Sequence, residues 1–253
     1  MFGFVRAGWR AAVYYPSRLI VDIIRPIIGV IVRVALVASV AALSGRTTLM
    51  GFTVPGLMLY YATSELLAEI PTTMIPWRIQ DELNSGKMSV TLSRPVEPSV
   101  WYFLFSLGRA LPGILSNGLL ILLIAGWMGY GSNLTAFLAM MVIYVAFKAL
   151  YDASIGLITA WTYHIGYIQG LMGWIFWGFL GGDVVPLSVM PAWFQQITYY
   201  LPFRYLRYDT IMVLFNGIQA ETAVIAAIWL VPMFLVYRWL YHKAIARVEA
   251  FGG

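Results

Sequence analysis

Stretches of about 20 predominantly apolar residues recur along the chain, and each is long enough to cross roughly 30 Å of hydrocarbon as a helix. Apolar residues make up 61% of the 253 residues and charged residues only 11%, which leaves no room for a separate water-soluble domain of ordinary size. The sequence therefore predicts an all-α integral membrane protein with a single transmembrane domain over residues 1–253. The six predicted spans cover about 19–43, 53–74, the stretch after Ser99 to about 124, 134–161, 167–179 and 220–240.

The residues before the first predicted span have the pattern of an amphipathic helix. Arg6 and Arg10 share one side of such a helix, whereas Val5, Trp9 and Val13 fall largely on another. A helix with one cationic and one apolar side is typical of the membrane interface. The sequence thus predicts an N-terminal interfacial helix.

One segment, residues 181–194, interrupts the apolar pattern between the fifth and sixth predicted spans. It begins with Gly181 and Gly182 and contains Pro186 and Pro191. Paired glycines and prolines favour turns and short helices, which membranes tolerate where the freed backbone groups find water or protein partners. We expect a turn and short, re-entrant helices at a membrane surface.

The distribution of cations between loops predicts the orientation. Nine cations lie in the N-terminal stretch, the long loop over 77–99 and the C-terminal tail, against three (Arg46, Arg204 and Arg207) in the opposite loops. Cytoplasmic loops carry the excess of Lys and Arg. Both termini and the long charged loop are therefore predicted to be cytoplasmic, and the Gly181–Gly182 segment external.

Eight ionisable residues fall inside or at the inner edge of predicted spans, where facing lipid would cost roughly 2.5–3.5 kcal/mol each. They should therefore face the protein interior and pair; they are Asp22, Arg25, Arg33, Glu65, Glu69, Arg109, Lys148 and Asp152. Lys148 and Asp152 lie one helical turn apart and can pair with each other. Glu65 and Glu69, with Tyr61 on the same polar stripe, either line a substrate path or meet Arg33 or Arg109.

Several kinds of chemistry are excluded or disfavoured. The chain has no cysteine, which excludes disulfides and cysteine metal sites. Gly86-Lys87 lacks the rest of a phosphate-binding loop, and the two histidines lack a zinc-site pattern. The net charge of +5 is small and spread among loops, so it does not indicate a nucleic-acid partner. No metal or cofactor site is predicted on this chain.

Two motifs resemble those of a known family. The stretch from Asp81 to Met88, continuing to Leu92-Ser93-Arg94-Pro95, resembles the loop after the second span in ABC-2 type permeases, the membrane subunits of ATP-driven exporters. The external segment, with Pro191-Ala192-Trp193 and Leu201-Pro202-Phe203, is similar to that family's signature before its last span. The resemblance covers essentially the whole chain.

The resemblance implies a dimer of permeases, identical or paralogous, in the inner (plasma) membrane. Two copies of a separate ATPase subunit would carry the ATP and Mg²⁺, and the N-terminal helix would lean on one of them. The resemblance assigns the role of ATPase-coupling loop to Asp81, Glu82, Gly86, Lys87 and Arg94. It assigns an external gate to Gly182, Pro186, Pro191 and Pro202.

The cargo is predicted from aromatic residues. Trp174, Phe176, Trp177 and Phe179 cluster in the fifth predicted span, which suits a hydrophobic or amphipathic cargo such as a drug, lipid or glycolipid. We expect the path to include Tyr61, Glu65, Glu69 and Trp177. The alternatives are an ion-coupled transporter or channel that uses Glu65, Glu69 and Asp152, and an intramembrane enzyme built on Ser154 and His164.

Overall fold

A computed structural model describes residues 2–14, 16–68, 74–93, 96–162 and 164–252 of the chain. These residues are nearly all helical, as the sequence predicts. In the first half the elements are α1 (Phe2–Tyr14), α2 (Pro16–Ser44), β1 (Thr48–Leu49), β2 (Phe52–Thr53), α3 (Val54–Ala68), α4 (Met74–Asn84), α5 (Met88–Leu92) and α6 (Pro98–Trp127).

The second half is broken into shorter pieces. A 3₁₀ turn (Gly131–Asn133) leads into α7 (Leu134–Leu157), α8 (Thr159–Thr162), α9 (Gly166–Met172) and a π-helical turn (Gly173–Leu180). After it come a 3₁₀ turn (Leu187–Val189), α10 (Ala192–Tyr199), a second π-helical turn (Arg204–Tyr208), α11 (Asp209–Asn216), α12 (Ala220–Ile228) and α13 (Leu230–Gly252).

Three helical stretches within the described residues are long and apolar enough to cross a membrane. They are Ile23–Ser44, Gly131–Thr162 and Ala220–Arg247, and they coincide with the first, fourth and sixth predicted spans. Large apolar side chains cover the outer faces of α2, α12 and α13; Ile31, Leu36 and Val231, for example, are each about three-fifths exposed. A water-soluble surface would not display continuous apolar helix faces, so the protein belongs in a membrane.

Local sequence explains several breaks. β1 and β2 form an antiparallel hairpin whose two loop residues, Met50 and Gly51, both have positive φ, as in the loop type that matches strand twist. Pro98 opens α6 at its first turn, where a missing N–H costs no helical bond. Pro232 cannot donate to the carbonyl of Ile228, and the helix is interrupted at Trp229 between α12 and α13.

Helix α1 packs closely along α6 through two glycines. A Cβ on Gly8 would lie 2.0 Å from the carbonyl oxygen of Phe105, and one on Gly108 would lie 2.0 Å from the carbonyl oxygen of Val5. The packed face is therefore Val5, Gly8 and Ala12, whereas Trp9 is 40% exposed. The predicted helix is present; small residues permit its close approach to α6, whereas Trp9 and Val13 of the predicted apolar side stay exposed.

The main core lies where α3, α7, the π-helical turns and α11 meet. Aromatic rings fill much of it: Phe176 and Phe203 stack with ring centroids 4.6 Å apart, and Trp177 packs edge-on against Phe203 at 5.3 Å. Gly156 of α7 allows α4 to approach, because a Cβ there would lie 2.9 Å from Pro76 Cα. This core fixes the turn after Leu180 against α3, and the candidate site is built at that junction.

Candidate functional site

The turn that follows the first π-helical turn is tied down by two tyrosines of α3. Gly182 adopts φ +78°, a conformation that favours glycine, and its carbonyl accepts a hydrogen bond of 2.6 Å from the Tyr60 hydroxyl. The Tyr61 hydroxyl donates to the carbonyl of Val184 at 3.1 Å. These two bonds bracket Asp183 and hold its carboxylate against α3.

Arg207, from the second π-helical turn, is the main partner of Asp183. It is only 2% exposed, and its Nη2 lies 3.1 Å from Asp183 Oδ1. The same nitrogen donates to the Ser64 carbonyl at 2.6 Å, and Nη1 donates to the Tyr144 hydroxyl at 3.1 Å. The Ser64 hydroxyl also donates to Asp183. One guanidinium thus joins α3, α7 and the turn at residues 181–183.

Arg33 extends this network to α2. Its Nε lies 2.8 Å from Glu65 Oε1, and its Nη1 lies 3.1 Å from Asp183 Oδ1. Gly29, one helical turn before Arg33, leaves room for the Glu65 carboxylate, because a Cβ there would lie 2.8 Å from Glu65 Oε1. Of the two partners that the sequence offered for Glu65, the structure places Arg33 against it. We refer below to Arg33, Glu65, Asp183 and Arg207 as the charge network.

Sequence reasoning missed half of this network. Arg207 was assigned to the external loop charges, and it is instead buried and ion-paired; that part of the charge count is wrong. The available signal was the aromatic run Phe203-Arg204-Tyr205-Leu206-Arg207-Tyr208, but it contains two arginines and does not indicate which of them is buried. The ion pairs of Asp183 could not be predicted from its neighbours, because a Gly-Gly-Asp turn is common at a solvated surface.

A second ion pair lies deeper along α7. Lys148 Nζ is 2.6 Å from Asp152 Oδ2, and both side chains are about 5% exposed, which confirms the predicted intrahelical pair. A cavity of about 190 Å³ separates this pair from the charge network. Its lining combines charged and aromatic groups, and includes Lys148, Asp152, Asp183, Arg207, Tyr144, Tyr151 and Trp177.

The aromatic residues that cluster in the fifth predicted span are divided between the protein interior and its outer surface. Trp177 is 9% exposed and lies at the cavity, and Phe176 packs in the core. Trp174 is 62% exposed and Phe179 about two-fifths exposed, so they lie on the outer surface. Only Trp177 among them can touch a ligand in the interior.

The loop with the expected coupling role contains one buried and several exposed residues. Glu82 is 8% exposed and accepts hydrogen bonds from the Tyr102 hydroxyl and, at 2.5 Å, from the Thr91 hydroxyl. Asp81, Gly86 and Lys87 are exposed, with Gly86 at φ +71° in the turn between α4 and α5. Arg94, like Glu69 of the expected path, lies outside the described residues.

Arg78 also holds this loop against α6. Its guanidinium lies 4.2 Å from the Trp101 ring centroid and 4.4 Å from that of Phe105, and its Nε is 3.4 Å from Glu82 Oε1. A groove of about 690 Å³ runs between α4, α5 and α6, with Trp77, Asp81 and Lys87 among its lining residues. The charged loop is therefore a folded platform fastened to α6.

Of the residues expected to form the external gate, Gly182 lies in a turn and the prolines begin short helices. Pro186 precedes the 3₁₀ turn at residues 187–189, and Pro191 precedes α10; both have the fixed φ that starts a helical turn. Pro202 is buried, whereas Pro191 is exposed. The structure thus shows a turn and short helices in this segment, as predicted.

Asp209, the first residue of α11, pairs with Arg204 of the second π-helical turn, whose Nε lies 3.4 Å from Asp209 Oδ2. Burial raises the pKa of Asp209 from 3.8 to about 6, and the neighbouring Arg204 opposes that rise without cancelling it. Asp209 therefore changes its charge in mildly acidic solution.

The helices, the outward apolar faces and the interior charge network define a polytopic membrane protein. A family model described as ABC-2 family transporter protein matches residues 29–252. The chain belongs to that family and is a membrane transport subunit, and membership of the family implies an ATPase partner. The match confirms the resemblance found in the two motifs. No curated protein matches the chain.

Proposed function

We propose that this protein is the permease subunit of an ATP-driven ABC exporter. In this proposal one transmembrane domain, residues 1–253, crosses the inner membrane six times with both termini in the cytoplasm. It pairs with a second permease and with two ATPase subunits that carry the ATP and Mg²⁺. The observation that carries the proposal is the folded, charged platform of α4 and α5, joined to α6 in a chain of the ABC-2 family.

Six spans fit the helices as follows. α2, α7 and α12–α13 supply the first, fourth and sixth spans, and α3 and the 30-residue α6 supply the second and third. α9 and the π-helical turn after it hold 7 and 8 residues, which reach about 20 Å, less than the hydrocarbon thickness. The turn at Gly182 then lies below the outer membrane surface, which supports a re-entrant external gate that includes Pro186, Pro191 and Pro202.

In this proposal, some residues of the coupling loop contact the ATPase and others hold the loop in shape. Asp81, Gly86 and Lys87 are exposed and face the ATPase; Arg94, outside the described residues, is assigned to the same contact. Glu82 holds the platform in shape through its bonds to Thr91 and Tyr102. A push on the platform reaches α6 through Arg78, which is stacked on Trp101 and Phe105.

The transport path is proposed to run along the inward face of α3 and the cavity beside α7. Tyr61 and Glu65 lie at the charge network and Trp177 lies at the cavity; Glu69, outside the described residues, is assigned to the same path. Buried ion pairs surrounded by aromatic rings suit an amphipathic cargo, whose apolar part contacts rings and whose polar part contacts the network. The glycines at 170 and 173 have open space beside them, which leaves room for the second permease or the cargo.

The ion-coupled alternative receives no support from the described carboxylates. Glu65 lies 2.8 Å from Arg33 and Asp152 lies 2.6 Å from Lys148. Each of the two carboxylates is therefore paired with a cation of the chain itself rather than available to bind a transported cation.

The coupling surface can be tested in the native host with a tagged chain. Lys87→Glu should reduce the recovery of the ATPase subunit at least tenfold, because it places a negative charge on an exposed position of the platform. Arg46→Glu, equally exposed but at the opposite end of the helices, should leave recovery unchanged. Equal recovery with all three chains would refute the assigned docking surface.

A further inference from the structure

A long apolar groove lies on the outer surface between α6 and α7. Its volume is about 750 Å³, and every described residue that lines it is apolar, including Val100 and Leu107 of α6 and Leu138 and Leu150 of α7. The lining residues recur at helical spacing along both helices, so each helix turns one continuous apolar face to the groove. Val142 of this lining is 70% exposed, which shows that the groove opens outward rather than into the charge network.

The groove has about the length of one lipid leaflet. Leu138 and Leu150 lie twelve positions apart on α7, which corresponds to about 18 Å of helix, and half of the hydrocarbon core is about 15 Å thick. Because α7 lies in a stretch long and apolar enough to span a membrane, hydrocarbon rather than water borders the groove. An empty groove would leave its walls without contacts, and an acyl chain that lies along α7 restores them.

Another helix fits this groove less well than an acyl chain does. Helices that pack inside a membrane approach each other through small residues, whereas the described walls contain two alanines, Ala146 and Ala149, among large side chains. The short side chains of these alanines leave a narrow channel, which suits a thin and flexible chain. A second permease finds small residues and open space instead at Gly170 and Gly173.

A pair of opposite charges lies at one end of the groove. Glu97 directly precedes α6 and lies one helical turn before Val100 on the same side. Arg238 of α13 has its Nη1 3.3 Å from Glu97 Oε1, and both side chains are about one-third exposed, so each can also contact a ligand. Lys243 and Arg247 follow on other sides of α13 by helical spacing. The end of the groove therefore offers one positive and one negative group.

This pair matches a zwitterionic head group that carries a primary ammonium. Glu97 Oε1 accepts hydrogen bonds from the Tyr237 hydroxyl and from Arg238, which leaves Oε2, among the described contacts, to accept from an ammonium. The Arg238 guanidinium can donate to a phosphate, and both contacts are charge-assisted. An anionic head group places a second negative charge beside Glu97, and a choline head group has no N–H to donate to it.

We propose that this groove binds a phospholipid of the phosphatidylethanolamine type, with an acyl chain along α7 and the head group between Glu97 and Arg238. The lipid then joins the start of α6, which holds the charged platform, to α13. This inference goes beyond the proposed transport function and does not depend on it, because the site requires neither a cargo nor an ATPase.

The test is native mass spectrometry of purified, delipidated permease, which reports bound lipid and oligomeric state in one spectrum. The protein is titrated with three lipids that share dioleoyl chains: phosphatidylethanolamine, phosphatidylglycerol and phosphatidylcholine. Phosphatidylethanolamine should bind at least tenfold more tightly than either of the others. Equal or tighter binding of another lipid, or no saturable binding of phosphatidylethanolamine, would overturn the proposal.

Two matched pairs of variants test the head-group contacts. Glu97→Gln should abolish the preference for phosphatidylethanolamine, because the amide carries no charge to pair with the ammonium, whereas Glu221→Gln, at an exposed glutamate, should keep it. Arg238→Gln should weaken all three lipids about tenfold through loss of the phosphate contact, and Arg46→Gln, at an exposed arginine, should not. A tenfold preference that survives Glu97→Gln would refute the head-group site.

A third pair tests the groove itself, with thermal unfolding to show that each variant is folded. Ala146→Phe should fill the channel and weaken phosphatidylethanolamine binding at least tenfold without changing the oligomeric state. Ala38→Phe, on the exposed face of α2, should bind as the wild type does. Unchanged affinity in Ala146→Phe would contradict the site. Conversion of a dimer to a monomer by Ala146→Phe would show that a second copy of the chain covers the groove, and the proposal would fail.

Discussion

At the scale of single residues, the structure depends on buried charges that are each matched by a partner. Asp183 accepts from two guanidiniums and a hydroxyl, and no one element supplies all of these groups. The sequence predicted that intramembrane charges should pair, and the Lys148–Asp152 pair follows directly from helical spacing. It could not predict the Asp183 contacts, because they join residues 24 and 150 positions apart and depend on how the helices meet.

Asp183→Asn should destabilise the protein by about 3–5 kcal/mol, because it leaves the buried Arg207 guanidinium without its carboxylate and removes one of the two carboxylates that contact the partly exposed Arg33. Chemical unfolding of the purified protein in detergent measures this loss. Arg46→Gln, which removes an exposed charge, should change stability by less than about 0.5 kcal/mol. A loss for Asp183→Asn as small as that of the control would show that the network does not stabilise the fold.

Asp209 should make stability depend on pH. Its pKa is raised from 3.8 to about 6, so the folded protein holds this proton more tightly than the unfolded chain does. The contribution to stability is therefore full below about pH 4 and is lost as the pH rises through about 6. Thermal unfolding between pH 4 and 7 should show this decline in the wild type and in the control Glu221→Gln, and Asp209→Asn should remove it; a decline that persists in Asp209→Asn would contradict the assignment.

At the scale of elements, glycines decide how closely helices approach. The sequence predicted α1 as a helix from its periodicity, and the structure confirms the helix. The contact with α6 was not predicted, because hydrophobic periodicity reflects large side chains, whereas this contact depends on Gly8 and Gly108 bringing two backbones together. The short helices around Pro186 and Pro191 were predictable, because proline and glycine act locally.

Gly8→Leu should detach α1 from α6, because any side chain there meets the backbone of Phe105. Limited proteolysis should then cleave the N-terminal helix at least tenfold faster, and stability should fall by at least the 1–3 kcal/mol typical of overpacking. Gly3→Leu is the control, since nothing lies within 4 Å of a Cβ at that position and cleavage should stay slow. Equal cleavage of the two variants would mean that α1 is not held by this contact.

At the scale of the whole molecule, the sequence predicted the fold class and the family, because apolar stretches and ordered motifs carry both. Three of the six predicted spans coincide with helices long and apolar enough to cross a membrane. The charge network and the cavity beside it were only partly predictable, since Tyr61, Glu65 and Trp177 were named while Asp183 and Arg207 were not. Long-range packing, rather than local pattern, sets that part of the site.

The orientation in the membrane can be tested cleanly, because the chain has no cysteine. Val189→Cys should react with a membrane-impermeant maleimide added to intact cells, since Val189 is 42% exposed on the side proposed to be external. Lys87→Cys should react only after the cells are opened. The reverse pattern would place the termini outside the cell.

The central claim, that this chain is the permease of an ATP-driven exporter, is tested most directly by purifying the tagged chain from its native membrane in mild detergent. Mass spectrometry of the purified material should find an ATPase subunit in a one-to-one ratio with the permease chains, together with any second, paralogous permease. Reproducible recovery of the chain alone, under conditions that preserve known permease–ATPase complexes, would contradict the account.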